Sequence, residues 1–155
     1  FVTLGLLQGL IVALGDIYLL HISVLHPVLF VLTILYLSLL FVTIVYTLVF
    51  QFGNVGKAIA VILLVLQIAG SGGTFPIECT PQFFQNIYAV LPFTYGINAM
   101  RETVAGIYYP NFIHDFKILN IYLTAFLVFG LISKHWIKKI TIGAQKKMSE
   151  SGLTE

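Results

Sequence analysis

Residues 70–109 read GSGGTFPIECTPQFFQNIYAVLPFTYGINAMRETVAGIYY, and this stretch decides the fold. It is apolar enough for a bilayer, yet Pro76, Pro81 and Pro92 interrupt it. Thr80 before Pro81 is a helix-start signal, with Thr as N-cap and Pro at the first helical position. A helix from there should stop at Leu91, because the residue before Pro92 is biased away from helical backbone. Thr94 can cap a second helix running to Ile107. Two helices, about 81–91 and 94–107, are each roughly 16–21 Å long at 1.5 Å per residue. Neither can cross a hydrocarbon core of about 30 Å. Irregular backbone at membrane depth is tolerated only where protein or a water-filled cavity shields it. The expected geometry is a shallow re-entrant pair that leaves one surface and returns to it. Gly70, Gly72 and Gly73 before it allow tight turns and close helix approach.

The flanking chain supplies the membrane helices. Of its 155 residues, 59% are hydrophobic and 9% charged. A soluble domain carries about a quarter charged residues, so the composition reads as an integral membrane protein. The expected class is an all-α polytopic bundle, with residues 1–140 as the transmembrane domain and 141–155 as a polar cytoplasmic tail ending in SESGLTE. The spans are placed at about 1–20, 28–50, 55–73 and 118–137. The chain opens on an apolar run with no charged leader, which reads as a C-terminal fragment of a longer membrane protein rather than a signal peptide. The small-xxx-small pair Gly5 and Gly9 hints at close helix packing.

Lysine placement sets the orientation. Lys57 lies between the second and third spans, and Lys134, Lys138, Lys139, Lys146 and Lys147 follow the middle of the fourth. Alternating spans put both groups on one side only if residues 70–109 return to the side they left. That side is read as cytoplasmic, with the C-terminus there. Glu78, Glu102 and Asp115, with Arg101 and Lys117, fall on the outer side. Lys57, Lys134, Trp136, Lys138 and Lys139 form a cytoplasmic anchor. The basic cluster is read as a topology signal, with lipid binding as the alternative.

Candidate chemistry is sparse. Asp16 is the sole acid inside a span, and Arg101 is the sole arginine. An intramembrane carboxylate usually faces a bundle interior or water. Asp16 and Arg101 are expected to meet, directly or through water, either as a structural pair or in substrate or proton handling. Asn98, Arg101, Glu102 and Ala105 share one face of the second short helix, so Asp16, Asn98, Arg101 and Glu102 form a candidate outer-side polar site or gate. Two readings of the hairpin stay open: a gate lining an outward cavity, or a plug that seals the outer surface. Most of Gln8, Thr33, Thr43, Thr47, Gln67, Asn120 and Thr124 are expected to bond between helices. Tyr36 and Tyr46 are expected to pack. One cysteine, Cys79, excludes a disulfide within the chain. The four histidines have no ligand spacing. No catalytic set and no phosphate loop is visible; Gly53-Asn54-Val55-Gly56-Lys57 has the wrong spacing and reads as a turn. The chain is therefore expected not to be an enzyme and to hold no catalytic group, metal or cofactor. Any ATP would be bound by a partner subunit, and no nucleic-acid partner is implied.

Four pieces carry a family likeness: LGDIYLL (14–20), GNVGKAIA (53–60), LQIAGSGGTFPIE (66–78) and FFQNIYAVLPFTYGINAMRE (83–102). They resemble the C-terminal membrane region of the YhgE/Pip family, the phage infection protein family of Gram-positive bacteria. That family is similar to the membrane permeases of type-2 ABC exporters, which have six spans and a broken re-entrant segment before the last. The resemblance implies that the four spans here correspond to spans three to six. It further implies a large extracellular domain upstream, a homodimer or larger assembly in a bacterial cell membrane, and partnership with an ATPase subunit or secretion components. Export or a secretion apparatus is the function so implied. The alternative is a non-transporting anchor or scaffold that presents an extracellular domain, as a phage receptor or a type VII secretion accessory.

Overall fold

In the computed structural model the protein is all-helical among the described residues, which are 1–73 and 75–150, with side chains described as far as 133. Five α-helices follow one another: α1 (Val2–Tyr18), α2 (Pro27–Gly70), α3 (Gln82–Ile87), α4 (Pro92–Ala105) and α5 (Tyr109–Glu150). Single 3₁₀ turns at Ile77–Cys79 and Tyr88–Val90 bracket α3. Among the described residues two helices are long and apolar enough to cross a membrane, Pro27–Gly70 and Tyr109–Ser133.

The 44-residue α2 is not one rod, because Gly53 leaves helical geometry at φ 55°, ψ −122°. A side chain at Gly56 would meet the carbonyl of Leu48, eight residues earlier. Ala60 packs on the cluster of Leu37, Leu40, Ile44, Leu48 and Leu119. In a straight helix residues eight apart lie about 12 Å apart, so the part of α2 after Gly53 folds back along the part before it. Asn54 and Lys57 stay exposed on the turn, joined by a 3.3 Å hydrogen bond from Lys57 Nζ. The GNVGK segment is the tight turn its spacing suggested.

Contacts fix the direction of the other helices. Gly5, Gly9 and Ala13 are the buried residues of α1. Gly5 faces Val42 and Ser38, and Gly9 faces Ser38 and Ile34. The Ser38 hydroxyl donates to the Gly5 carbonyl at 2.5 Å. So α1 runs antiparallel to the first part of α2, on a seam of small residues spaced by four. Phe116 stacks near Tyr36 at 5.2 Å, and Gly130 sits against Thr47. Helix α5 therefore runs parallel to the first part of α2. The four long segments thus alternate in direction along the chain.

Several expectations need correction. Thr33 and Thr43 donate to the carbonyls of Leu29 and Leu39 in their own helix, both at 2.7 Å, not to a neighbouring helix. A short hydroxyl reaches its own preceding turn more easily than a partner helix. Helix α5 begins at Tyr109 and is continuous through Ile118, and its backbone stays helical to Glu150. The span placed at about 118–137 and residues 141–150 of the polar tail thus fall within one helix, and neither the span's limits nor the tail's side of the membrane is tested by that; residues 151–155 are outside the described residues.

Candidate functional site

The short helix α4 holds the candidate residues, and its depth follows from its neighbours. Phe93 at its start lies edge-on to Phe41, with ring centroids 5.3 Å apart. Phe41 is 14 residues past Pro27, or about 21 Å along α2. At the other end of α4, the Thr103 and Val104 carbonyls accept from the His26 and Leu25 amides at 3.1 and 3.3 Å. Between them Gly96 faces Leu37, whose side chain would meet any Cβ placed there. Met100 touches both apolar clusters, that of Leu40 and Ile44 and that of Ala13, Phe30 and Ile34. So α4 starts deep beside α2 and climbs back to the level where α2 begins.

The deep end is where the chain breaks. Pro92 has no N–H, so the Tyr88 carbonyl loses its helical donor and keeps a 3.3 Å bond from the Leu91 amide, while the extended backbone at Leu91 takes the Ala89 and Val90 carbonyls out of the helical ladder. Three hydroxyls add donors. Thr94 Oγ1 donates to the Tyr88 carbonyl at 2.8 Å, and Tyr95 Oη to the Ala89 carbonyl at 2.6 Å. Tyr122 Oη, from α5, donates to the Val90 carbonyl at 2.6 Å. The consecutive carbonyls of Tyr88, Ala89 and Val90 thus accept from side chains.

The capping expectations were half right. The break at Pro92 is present, but Leu91 is the N-cap of α4 and Pro92 its first residue. Thr94 is a donor to the previous turn, not a cap. Pro81 is the N-cap residue of α3. Thr80 instead donates to the Ile77 carbonyl at 2.6 Å, closing the turn after Pro76, and its own carbonyl accepts from Gln85 Nε2 at 2.9 Å. The helix expected over 81–91 is six residues of α-helix and a 3₁₀ turn, and that expected over 94–107 is Pro92–Ala105. Spacing alone could not show that Gln85 would reach back to the Glu78 and Thr80 carbonyls.

At the shallow end Asn98, Arg101 and Glu102 meet Asn111, His114 and Asp115 of α5 around a cavity of about 340 Å³. Asp115 is 6% exposed and is the most buried acid described. His114 Nδ1 lies 3.3 Å from its Oδ1. Glu102 Oε2 is buried with no hydrogen-bond partner. Burial first, and then the charge of Asp115, push the Glu102 carboxyl above the usual carboxylate range, against a lowering hydrogen bond from the Tyr108 backbone. Three of the four residues assigned to the outer polar site are thus brought together.

The fourth is not. Arg101 Nη2 donates to the Gly72 carbonyl at 2.8 Å, and Asp16 does not line the cavity. Among the described residues the sole ion pair is His114–Asp115, so Asp16 and Arg101 do not pair directly. The positive φ of Gly72, 66°, turns its carbonyl to the arginine. Asp16, at the end of α1, offers its backbone carbonyl to the Ile22 amide at 3.1 Å. Asn111, His114 and Asp115 were missed as site residues. Their signal was the polar NFIHDFK segment just ahead of the apolar run from Ile118. Among the described residues no group of three His, Cys, Asp or Glu is placed to hold a metal ion. Lys57 sits on the exposed turn, and the side chains of Lys134, Trp136, Lys138 and Lys139 lie outside the described residues.

The chain is similar to the uncharacterized protein YhgE of Bacillus subtilis (strain 168), with 41% identity over 102 residues. The match covers 66% of this chain and 13% of the relative, and it supports a YhgE-like family. No protein-family model matches the chain, and no solved structure matches it.

Proposed function

We propose that this chain is the permease-like membrane domain of a YhgE-like protein, working in export or in a secretion apparatus. In this reading α1, the two parts of α2 and α5 are four spans of a cell-membrane protein. Residues 76–108 are a re-entrant pair opening outward, and the C-terminus is cytoplasmic. A partner subunit supplies any ATPase, and the domain works as a dimer or larger assembly without catalytic groups of its own.

One observation carries the reading: the break at Pro92 lies about 21 Å along α2, its carbonyls met by Thr94, Tyr95 and Tyr122, and a polar cavity sits at the shallow end of the same helix. A plain anchor needs no such break. The alternating helix directions and the exposed Lys57 favour the same topology. The test is flux of lipid-like or amphipathic cargo in vesicles containing the full-length protein and its ATPase, for wild type and Pro92→Ala. Flux that falls with Pro92→Ala supports the reading, and no flux with any partner sinks it. Topology is checked separately. Cys79 is exposed, and a membrane-impermeant thiol reagent added to intact cells should label it. Labelling of Gln82→Cys from the cytoplasm alone overturns the orientation.

A second reading has its own support. The chain spans 13% of the length of the relative it matches, which suits an anchor or scaffold for a large outer domain, as in phage attachment or secretion. In that case Pro92→Ala leaves function intact while truncation of the outer part abolishes it.

A further inference from the structure

Two buried oxygens at the end of α2 have no hydrogen-bond partner, Gln67 Oε1 and Ser71 Oγ. Gln67 is 2% exposed and Ser71 1%. Four residues apart, they lie one above the other on one helix face. A Cβ placed on Gly73 would meet both Ser71 Oγ and Ile97 of α4. One placed on Gly70 would meet Leu91, Phe84 and Ile87. The hairpin therefore closes this face of α2, over glycines that let it come close.

The hairpin is tied down unequally. At the start of α2, the Thr103 and Val104 carbonyls accept from the His26 and Leu25 amides. At α5, Tyr122 Oη donates to the Val90 carbonyl. At the end of α2, among the described residues, one hydrogen bond joins residues 67–73 to α4. It runs from Arg101 Nη2 to the Gly72 carbonyl, and it is exposed. A hollow of about 310 Å³, lined by Gly72, Gly73, Glu78, Tyr88 and Arg101, adjoins this bond next to Ser71. Closing the face keeps two oxygens away from water and unmet, at a cost in free energy that is recovered when water reaches them. Apolar contact thus holds the face shut while the two oxygens favour its opening.

We propose that the hairpin parts from the end of α2 along this face and admits water to Gln67 and Ser71, while α4 stays seated on the first part of α2. The inference rests on the reading of residues 76–108 as an outward-opening pair, and it names where that pair opens. Local opening short of global unfolding is drawn from weakly bonded regions, and this face has one exposed bond.

Opening is measured apart from transport, so either can fail alone. Full-length protein with Ser71→Cys as its sole cysteine is placed in nanodiscs, where both faces meet the reagent and no cargo or ATPase is needed. Ser71→Cys keeps nearly the size of the side chain and leaves Gln67 unmet. The rate of labelling by a polar thiol reagent reports opening. Thr33→Cys, at a site 1% exposed on the first part of α2, is the control for global unfolding. Ser71→Cys should label at least about fivefold faster than Thr33→Cys. Arg101→Ala should raise the Ser71→Cys rate by about fivefold and leave the Thr33→Cys rate unchanged. Gln67→Leu removes the remaining unmet oxygen and should slow Ser71→Cys labelling by about fivefold, with thermal stability kept or raised. Equal labelling of Ser71→Cys and Thr33→Cys in folded protein overturns the proposal. So does an Arg101→Ala variant that labels like its parent. A Gln67→Leu variant that is less stable and labels faster also overturns it, since that marks a water held permanently at Gln67.

Discussion

The chain breaks its helices at Gly53 and again at Pro92, and the two breaks are built differently. At Gly53 the backbone itself takes a shape that few side chains permit, at φ 55° and ψ −122°. The residues around it are exposed, and a Cβ there would meet nothing within 4 Å. Water can satisfy the freed backbone groups. At Pro92 the residue is buried, and three carbonyls are met by hydroxyls drawn from two helices. The difference follows from surroundings. A turn in water needs only a permissive residue. At Pro92 the donors come from side chains that the packing of α4 and α5 brings within reach of the preceding turn.

The comparison can be broken at either end. The largest effect is expected beside the first break, at Gly56, where a Cβ would overlap the Leu48 carbonyl. Gly56→Ala should cost about 3 kcal/mol or more, since a backbone atom must move. Loss of monodisperse protein in detergent would show it, and a well-folded variant would refute the tight reversal. Next comes the deep break. Thr94→Val with Tyr122→Phe removes the side-chain donors to Tyr88 and Val90, and should cost about 1–3 kcal/mol in denaturant unfolding. If the double variant unfolds like wild type, the hydroxyls do not hold the break. Gly53→Ala should cost about 1–3 kcal/mol through backbone strain alone, a loss that a glycine at the neighbouring position does not rescue. Asn54→Ala, on the exposed side of the same turn, should stay within about 0.5 kcal/mol.

A finer test concerns the shallow end of α4. The folded Glu102 carboxyl titrates above its ordinary value of 4.5. Its contribution is then fully present below that value and is lost as pH rises through the raised one. Stability should therefore fall as pH rises above about 4.5 and through the raised value. Glu102→Gln should reduce that slope, and because Asp115 lines the same cavity, Glu102→Gln with Asp115→Asn should remove it. A slope that survives both substitutions assigns it to another group.

Much of this was legible in the residues. The proline positions gave the broken segment, and low charge gave a helical class with apolar helices. Gly5 and Gly9 marked the α1 seam, because small residues at four-residue spacing allow close approach. The composition of residues 53–57 gave the turn. The polar face of α4 gave Asn98, Arg101 and Glu102. What stayed hidden were pairings across long separations. Nothing local says that Tyr122 reaches Val90, 32 residues away, or that Arg101 turns to Gly72, 29 residues away. Asp16 looked like the natural partner for Arg101 by charge. The left-handed turn at Gly72 offered a carbonyl instead, and that turn is a property of the folded loop.

The sequence by itself determined where helices could not continue, which faces were small or polar, and that much of the chain is strongly apolar. Those are local matters, set by proline's missing donor, side-chain volume and hydropathy. The tertiary structure alone decided which groups repair the breaks and which carboxylates share a cavity. Hydrogen bonds and buried charges depend on positions in space, and those exist only once α4 is seated between α2 and α5.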